Sequence, residues 1–231
     1  MPLACGSVVA VNPNSTGTAP LSPTERSTIR RGAKRAVAER DALWALLDAG
    51  LVCHLSTVVG GAPLVLPTGY GRDGDTLYLH GSTGALSLRT AAQGIEVCVA
   101  VTHVDGIVYS RSAFHHSMNY RSAVIHGTAV VVTGAEQKTH GLRVLTEHLA
   151  PGSWEHSRQP NKKEVAATTV LALDLTEAAV KTRTGGPNDD EEDIAADTAW
   201  AGVLPLRTVW GEPEPQTAHI AVPPHIAGRA G

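Results

Sequence analysis

Apolar and polar positions alternate along most of the chain, in short runs broken by turn residues. Residues 51–59 and 62–70 are rich in Val and Leu, and Gly60-Gly61 between them is a hairpin signal. Asp73-Gly74 then turns the chain into residues 76–80, so three antiparallel strands are expected in sequence. Residues 95–103 read as another strand, Asp105-Gly106 as a turn, and residues 107–112 as its partner. Residues 121–132 are β-branched, alternate loosely and predict a long strand with one buried face. Residues 165–181 alternate in part and predict a last strand, and residues 200–210 are apolar and β-like.

A helical period shows in two places. Leu43, Leu46 and Leu47 share a face in residues 39–49, with acids in the first turn and Gly50 as the stop. Thr133 and Glu136 fit a capping box ahead of Leu142, Leu145 and Leu149, and Pro151-Gly152 ends that helix. Residues 81–93 change character: small residues and hydroxyls lead into a short helical pattern. The sum is about six or seven strands and about two helices, joined mostly by hairpins. That is a mainly β fold, a small antiparallel barrel with flanking helices. Alternating βαβ units are absent, which argues against a Rossmann-type domain.

Composition narrows the class. The chain has 231 residues, 42% of them hydrophobic, which suits one domain with a sizeable core. One Phe stands beside four Trp and four Tyr, so the core must be built from Val, Leu, Ile and Ala. Residues 1–26 are Pro, Ser, Thr and Gly rich and are expected to be a flexible segment. Residues 27–210 form the domain, and residues 211–231 form a Pro-rich tail. A net charge of -3 with no basic run excludes a nucleic-acid partner, and no apolar stretch has membrane-spanning length. No secretory signal is visible. Cys5, Cys53 and Cys98 are odd in number and lack metal-type spacing, which fits reduced thiols and a cytoplasmic setting.

Three stretches carry candidate chemistry. Residues 110–122 pack Arg111, Ser112, His115, His116, Ser117, Asn119, Tyr120, Arg121 and Ser122 directly ahead of the long strand. A polar cluster fed into a rigid strand can fix a ligand's edge, although a solvated polar loop has the same composition. His115 and His116 could ligate a metal or haem, but no further ligands stand at chelate spacing. The turn at Ser82 and Thr83, with Ser87 and Arg89 behind it, presents free N–H groups and a counter-charge, a phosphate site or an ordinary helix cap. Residues 189–193, DDEED, read as a solvated acidic run rather than a metal site.

Several of these pieces together resemble a known family. They are RGAKRAVAERDALWALLDAGLVCHLS, PTGYGRDGDTLYLHGS, SAFHHSMNYRSAVIHG, TGGPNDDEED and WAGVLPL, in that order, spanning roughly residues 26–206. The chain resembles the pyridoxamine 5′-phosphate oxidase-like flavin-binding split barrels, and within them the nitroimidazole-resistance-type flavoproteins. The resemblance implies an antiparallel split barrel that forms a homodimer with FMN at the subunit interface. It implies that Pro67 and Thr68 line the isoalloxazine and that His80, Gly81 and Ser82 lie beside it. Ser87 and Arg89 would meet the phosphate, Asn119, Tyr120, Arg121 and Ser122 would close on the cofactor, and Trp200 would pack near the site. His80 is also a candidate proton donor, or simply a hydrogen-bonded strand-end residue. Relatives often carry a second basic residue shortly before Arg89, where this chain has Leu86 and Ser87; FAD, a deazaflavin or weak binding is therefore the alternative to ordinary FMN binding, and haem, which some split barrels hold, is a further one. The implied activity is oxidoreduction of a small organic molecule, with NAD(P)H as a candidate donor. The alternative is a non-catalytic flavin, deazaflavin or haem carrier.

Overall fold

The alternation in the middle of the chain builds one antiparallel sheet. The computed structural model describes residues 20–21, 24–84, 94, 96–217 and 219–230. Its strands are β1 (Ala36–Val37), β2 (Val52–Val59), β3 (Ala62–Asp73), β4 (Thr76–Ser82), β5 (Glu96–Tyr109), β6 (Ser117–Thr128), β7 (Val130–Val131), β8 (Thr168–Asp174), β9 (Ala178–Arg183) and β10 (Gly202–Pro205). They lie in the order β1-β9-β6-β5-β2-β3-β4-β8-β7, with β10 added to β5. The α-helices among the described residues are α1 (Arg40–Ala49), α2 (Ala135–Leu149), α3 (Ser153–His156), α4 (Lys162–Ala167), α5 (Glu191–Ala196) and α6 (Pro224–Ala227). No helix among them is long and apolar enough to cross a membrane.

The sheet bends at β3. Residues 62–69 of this strand pair with β2, whereas Tyr70 to Asp73 pair with β4. Period-two alternation sends Cys53, Leu55 and Thr57 of β2 into the core and leaves Val52, His54 and Val58 outside. Leu43, Leu46 and Leu47 of α1 enter the same core beside Val99, Val101, Ile125 and Leu171. The Cys53 thiol is pushed up to about 12 by burial, so it stays protonated. Side chains satisfy the carbonyls at the end of α1. Tyr70 donates to Leu47 O at 2.5 Å, and His103 Nε2 and His148 Nε2 lie 3.0 and 2.6 Å from Leu46 O and Gly50 O.

Helix α2 covers the outer side of β3 and β4 at close range. A Cβ at Gly71 would stand 2.8 Å from Val144 O, and one at Gly141 would stand 2.9 Å from Val170 Cγ1. Bare backbone on both elements is what lets helix and sheet meet. Leu149, the last residue of α2, reaches Gly69, and before it the outer side of β3 is bare at Val65 and Pro67.

Several expectations change. Asp105-Gly106 is not a turn but a bulge inside the continuous strand β5, between Val104 and Gly106 on the β6 register. The bulge exchanges the buried parity: Val99 and Val101 face inward before it, Gly106 and Val108 after it. The strand expected at 121–132 begins earlier, at Ser117, and breaks at buried Ala129 into β6 and β7. No side chain caps α2: Gly134 is its N-cap, so Thr133 does not close a box with Glu136. Residues 165–181 split into the end of α4 and the hairpin β8–β9, with a real capping box at Asn161 and Glu164. The helix expected within residues 81–93 falls largely outside the described residues.

Both ends of the domain are tied down. Leu21 is buried, and its N–H bonds Ala38 O at 2.7 Å. Arg26 holds Glu177 through two hydrogen bonds, at 2.7 and 2.6 Å, and Glu96 at 2.5 Å. In the tail, Arg229 stacks over Trp210 at 4.0 Å and donates to Leu149 O at 2.8 Å.

Two outcomes follow for stability. Tyr70→Phe should cost about 1 kcal/mol in urea unfolding, because the Leu47 carbonyl loses its hydroxyl donor and keeps only the Gly50 N–H at 3.2 Å. Gly71→Ala should cost ~1–3 kcal/mol by forcing the α2 backbone away; wild-type stability in both variants would contradict this packing. Hydrogen bonds from Arg26, then Thr24, hold the Glu177 carboxyl at about 2. This pKa is depressed, so the contribution is complete above the ordinary 4.5 and fades as pH falls toward about 2. Stability measured across that window should fall less steeply in Arg26→Ala than in the wild type.

Candidate cofactor site

The bend in β3 creates an open seam. Beyond Tyr70 and Leu79, β3 and β4 part: residues 62–69 pair with β2, and His80, Gly81 and Ser82 pair with β8. Among the described residues, the two strand edges that face this seam carry no ladder partner there. Open edges suit Pro63 and Pro67, which cannot donate to a second ladder. Pairing fixes the faces as well. Pro67, Gly69, Gly71, Tyr78 and His80 project to the outer side, which α2 covers at Gly69, Gly71 and Tyr78, whereas Thr68 shares the core side with Cys53 and Tyr70. Leu66, on that core side, is still 40% exposed, because the barrel is open next to it.

His80 is the chemically distinct residue of the seam. Burial lowers its pKa, so the ring is neutral at neutral pH. Its Nδ1 is buried without a hydrogen-bond partner among the described residues. A buried polar atom without a partner is costly, and a ligand edge at the seam would relieve it.

The second predicted group lies three strand steps away, on β6. Strand alternation divides it. Tyr120 and Ser122 project to the same outer face as Pro67, and Asn119 and Arg121 to the core side. Asn119 is buried; its Nδ2 donates to Gly185 O at 3.1 Å, and its Oδ1 accepts from Arg183 Nη1 at 2.5 Å. Arg121 grips Asp105 with two bonds, at 2.9 and 2.8 Å, which hold the Asp105 carboxyl below its usual range. Its charge is therefore already matched within the chain. Ser122 Oγ donates to Lys181 O at 3.4 Å.

The loop before β6 is clamped to the acidic segment. Asp189 is not solvated: its side chain is 2% exposed and accepts from Arg111 N at 2.9 Å and Arg111 Nη1 at 3.0 Å. Arg111 also holds Asp197, while His115 Nε2 lies 3.1 Å from Asp190. The ring of His116 packs edge-on against Tyr109, and its Nδ1 accepts from Ser110 N at 3.3 Å. Trp200 tilts against Tyr109 at 5.9 Å, is 69% exposed, and lies over bare Gly202. Among the described residues, no cluster of three or more His, Cys, Asp and Glu could hold a metal ion.

Ser87 and Arg89 lie outside the described residues. One residue of this region carried no functional reading in the sequence: Arg183, at the end of β9 and directly across from Tyr120. The available signal is its place directly before Thr184-Gly185-Gly186.

A family model for pyridoxamine 5′-phosphate oxidase matches residues 39–182. The FAD- and haem-binding protein from Mycobacterium smegmatis is 39% identical, with a TM-score of 0.82 over 85% of this chain and 98% of its own. The flavocytochrome Anf3 from Azotobacter vinelandii is 35% identical, with a TM-score of 0.83 over 92% of this chain and 100% of its own. A protein described as a 5-nitroimidazole antibiotic resistance protein, from Bacteroides thetaiotaomicron VPI-5482, shares the fold at 20% identity. Its TM-score is 0.56, over 63% of this chain and 85% of its own. No curated protein matches the chain. With a family match across more than half its length and two full-length likenesses above 30% identity, this chain belongs to the pyridoxamine 5′-phosphate oxidase family, as an antiparallel split barrel.

Proposed function

We propose that this protein is a flavin-binding oxidoreductase that acts as a homodimer on a small organic molecule and uses haem as a second redox group. The observation that carries this reading is the likeness, over nearly the whole chain, to an FAD- and haem-binding protein and to a flavocytochrome. The seam fits a flavin. Pro67 offers a flat apolar surface, the free edges of β3 and β4 offer backbone donors and acceptors, and His80 offers a neutral ring nitrogen. When bound, the flavin supplies hydride and electron transfer, with NAD(P)H as the candidate donor. The protein's part is to bind, orient and exclude water.

The outer sheet face supports the dimer. Val52 (51%), Val58 (58%) and Val65 (57%) are exposed on it, around Pro67 and Ala100. A patch of adjacent β-branched side chains on one face calls for cover, and a second copy is the ordinary cover. The same pairing would bring Tyr120 and Ser122 of one copy toward the seam of the other. For haem, His54 stands out on this face: it is exposed between Ala100 and Pro67, and no hydrogen bond, ion pair or ring contact is formed by its ring among the described residues. An unengaged imidazole on an apolar surface suits haem ligation.

Two measurements test this. The purified protein should sediment as a dimer at micromolar concentration, and a stable monomer would remove the basis for a shared site. Its visible spectrum should contain flavin bands and a haem Soret band, with mass analysis after denaturation identifying the flavin. Reconstitution with both groups and no flavin or haem retained would reject the reading. Flavin retained without reduction by NADPH, NADH or any small electron donor would favour the carrier alternative.

A further inference from the structure

Most arginines that pack on or beside the sheet are matched by carboxylates, whereas Lys181 of β9 meets only Arg31 O, at 2.9 Å, among the described residues. Arg40 is matched by Asp75, Arg72 by Asp48, Arg111 by Asp189 and Arg121 by Asp105. Arg183 is different. It is half-buried, and no carboxylate lies within ion-pair distance among the described residues. Its partners are neutral: Asn119 Oδ1 at 2.5 Å, Gly186 O at 3.1 Å and Gly185 O at 3.5 Å. These bonds fix the orientation of the guanidinium and leave its charge unmatched. They also leave Nε–H and one Nη2–H unused. Buried Asn119 is itself anchored on Gly185 O, so the cation is held from a rigid strand.

The turn beside it is open. Gly185 has φ 103°, which only glycine adopts without strain. A Cβ at Gly185 or Gly186 would meet nothing within 4 Å. Neither glycine N–H has a hydrogen-bond partner among the described residues. A fixed, unmatched guanidinium next to two free N–H groups in open space is the chemistry of an oxyanion site, and the fork geometry of arginine suits phosphate.

We propose that Arg183 and the Gly185-Gly186 turn bind the phosphate of a phosphate ester, with Asn119 as the positioning residue. Phosphate binding follows from the turn itself. That the ester is a flavin nucleotide rests on the function proposed above; the other source is the phosphate of a nicotinamide dinucleotide.

The test is a set of titrations of flavin-free protein with riboflavin, FMN, FAD and NADPH. The variants are Arg183→Gln and Gly186→Val, with Arg158→Gln as the comparison. Arg183→Gln should weaken FMN and FAD by roughly ten- to a hundredfold and leave riboflavin unchanged. Gly186→Val fills the open space and should do the same with an unaltered melting temperature, which separates lost binding from lost folding. Arg158→Gln should keep the preference for FMN over riboflavin, since Glu164 already matches that charge. If the preference survives in Arg183→Gln and Gly186→Val, NADPH decides: its weakening in both variants sustains the site, and unchanged NADPH affinity overturns it. If the wild type binds no flavin, the flavin reading fails alone. NADPH and inorganic pyrophosphate then test the site, which falls if the variants bind them as the wild type does.

Discussion

Everything at the candidate site depends on one strand changing partners. β3 cannot stay hydrogen-bonded to both neighbours, because β2 and β4 belong to different walls of the barrel. The change falls at Gly69 and Tyr70, and both residues suit it. Tyr70 is wholly buried and tied to the end of α1, so the strand is pinned there. Gly69 and Gly71 have no side chain on the other face, so α2 can press against the same point. Held from both sides, the strand must release β4 on one side of the pin. The seam beside Pro67 and His80 is the result of that release.

Much of this is legible in the sequence. The strands β2, β3 and β4 are marked by clean alternation between Gly60-Gly61 and Asp73-Gly74, and α1 by its three leucines and Gly50. What misled were signals that serve two purposes. Asp-Gly favours a tight turn, but it also suits a bulge, and at residue 105 the long pairing partner β6 decides for the bulge. Residues 165–181 alternate only in part because they contain two strands and the end of a helix. The DDEED run looked solvated because its counter-charge, Arg111, lies 78 residues away in sequence. Long-range pairing of this kind leaves no local trace.

The same limit explains the arginines near β6. Sequence order put Arg121 in the foreground, since it stands in a polar cluster at the entry to a strand. The bulge that replaced the expected turn delivers Asp105 to it, and a bidentate pair absorbs its charge. Arg183, sixty-odd residues later and apparently the end of an ordinary strand, arrives opposite Tyr120 with only neutral partners. Residue type gives a charge; the fold decides whether that charge is already spent.

The arrangement also bears on the homodimer proposed above. The seam and the Tyr120–Arg183 corner are separated by the width of β5 and β2, so a single ligand cannot touch both within one chain unless it crosses the bare face. That face is mostly apolar at its centre, where Val52, Val65, Pro67 and Ala100 surround His54, and polar or charged at its edge, with Ser122, Tyr120 and Arg183. A two-fold related copy laid on the centre would exclude water from it and set each edge against the opposite seam. The dry centre then contributes association energy, and the edges contribute contacts to the ligand. In the proposed homodimer the site would be shared between copies, and the exposed valines of β2 and β3 would belong to binding as much as to stability.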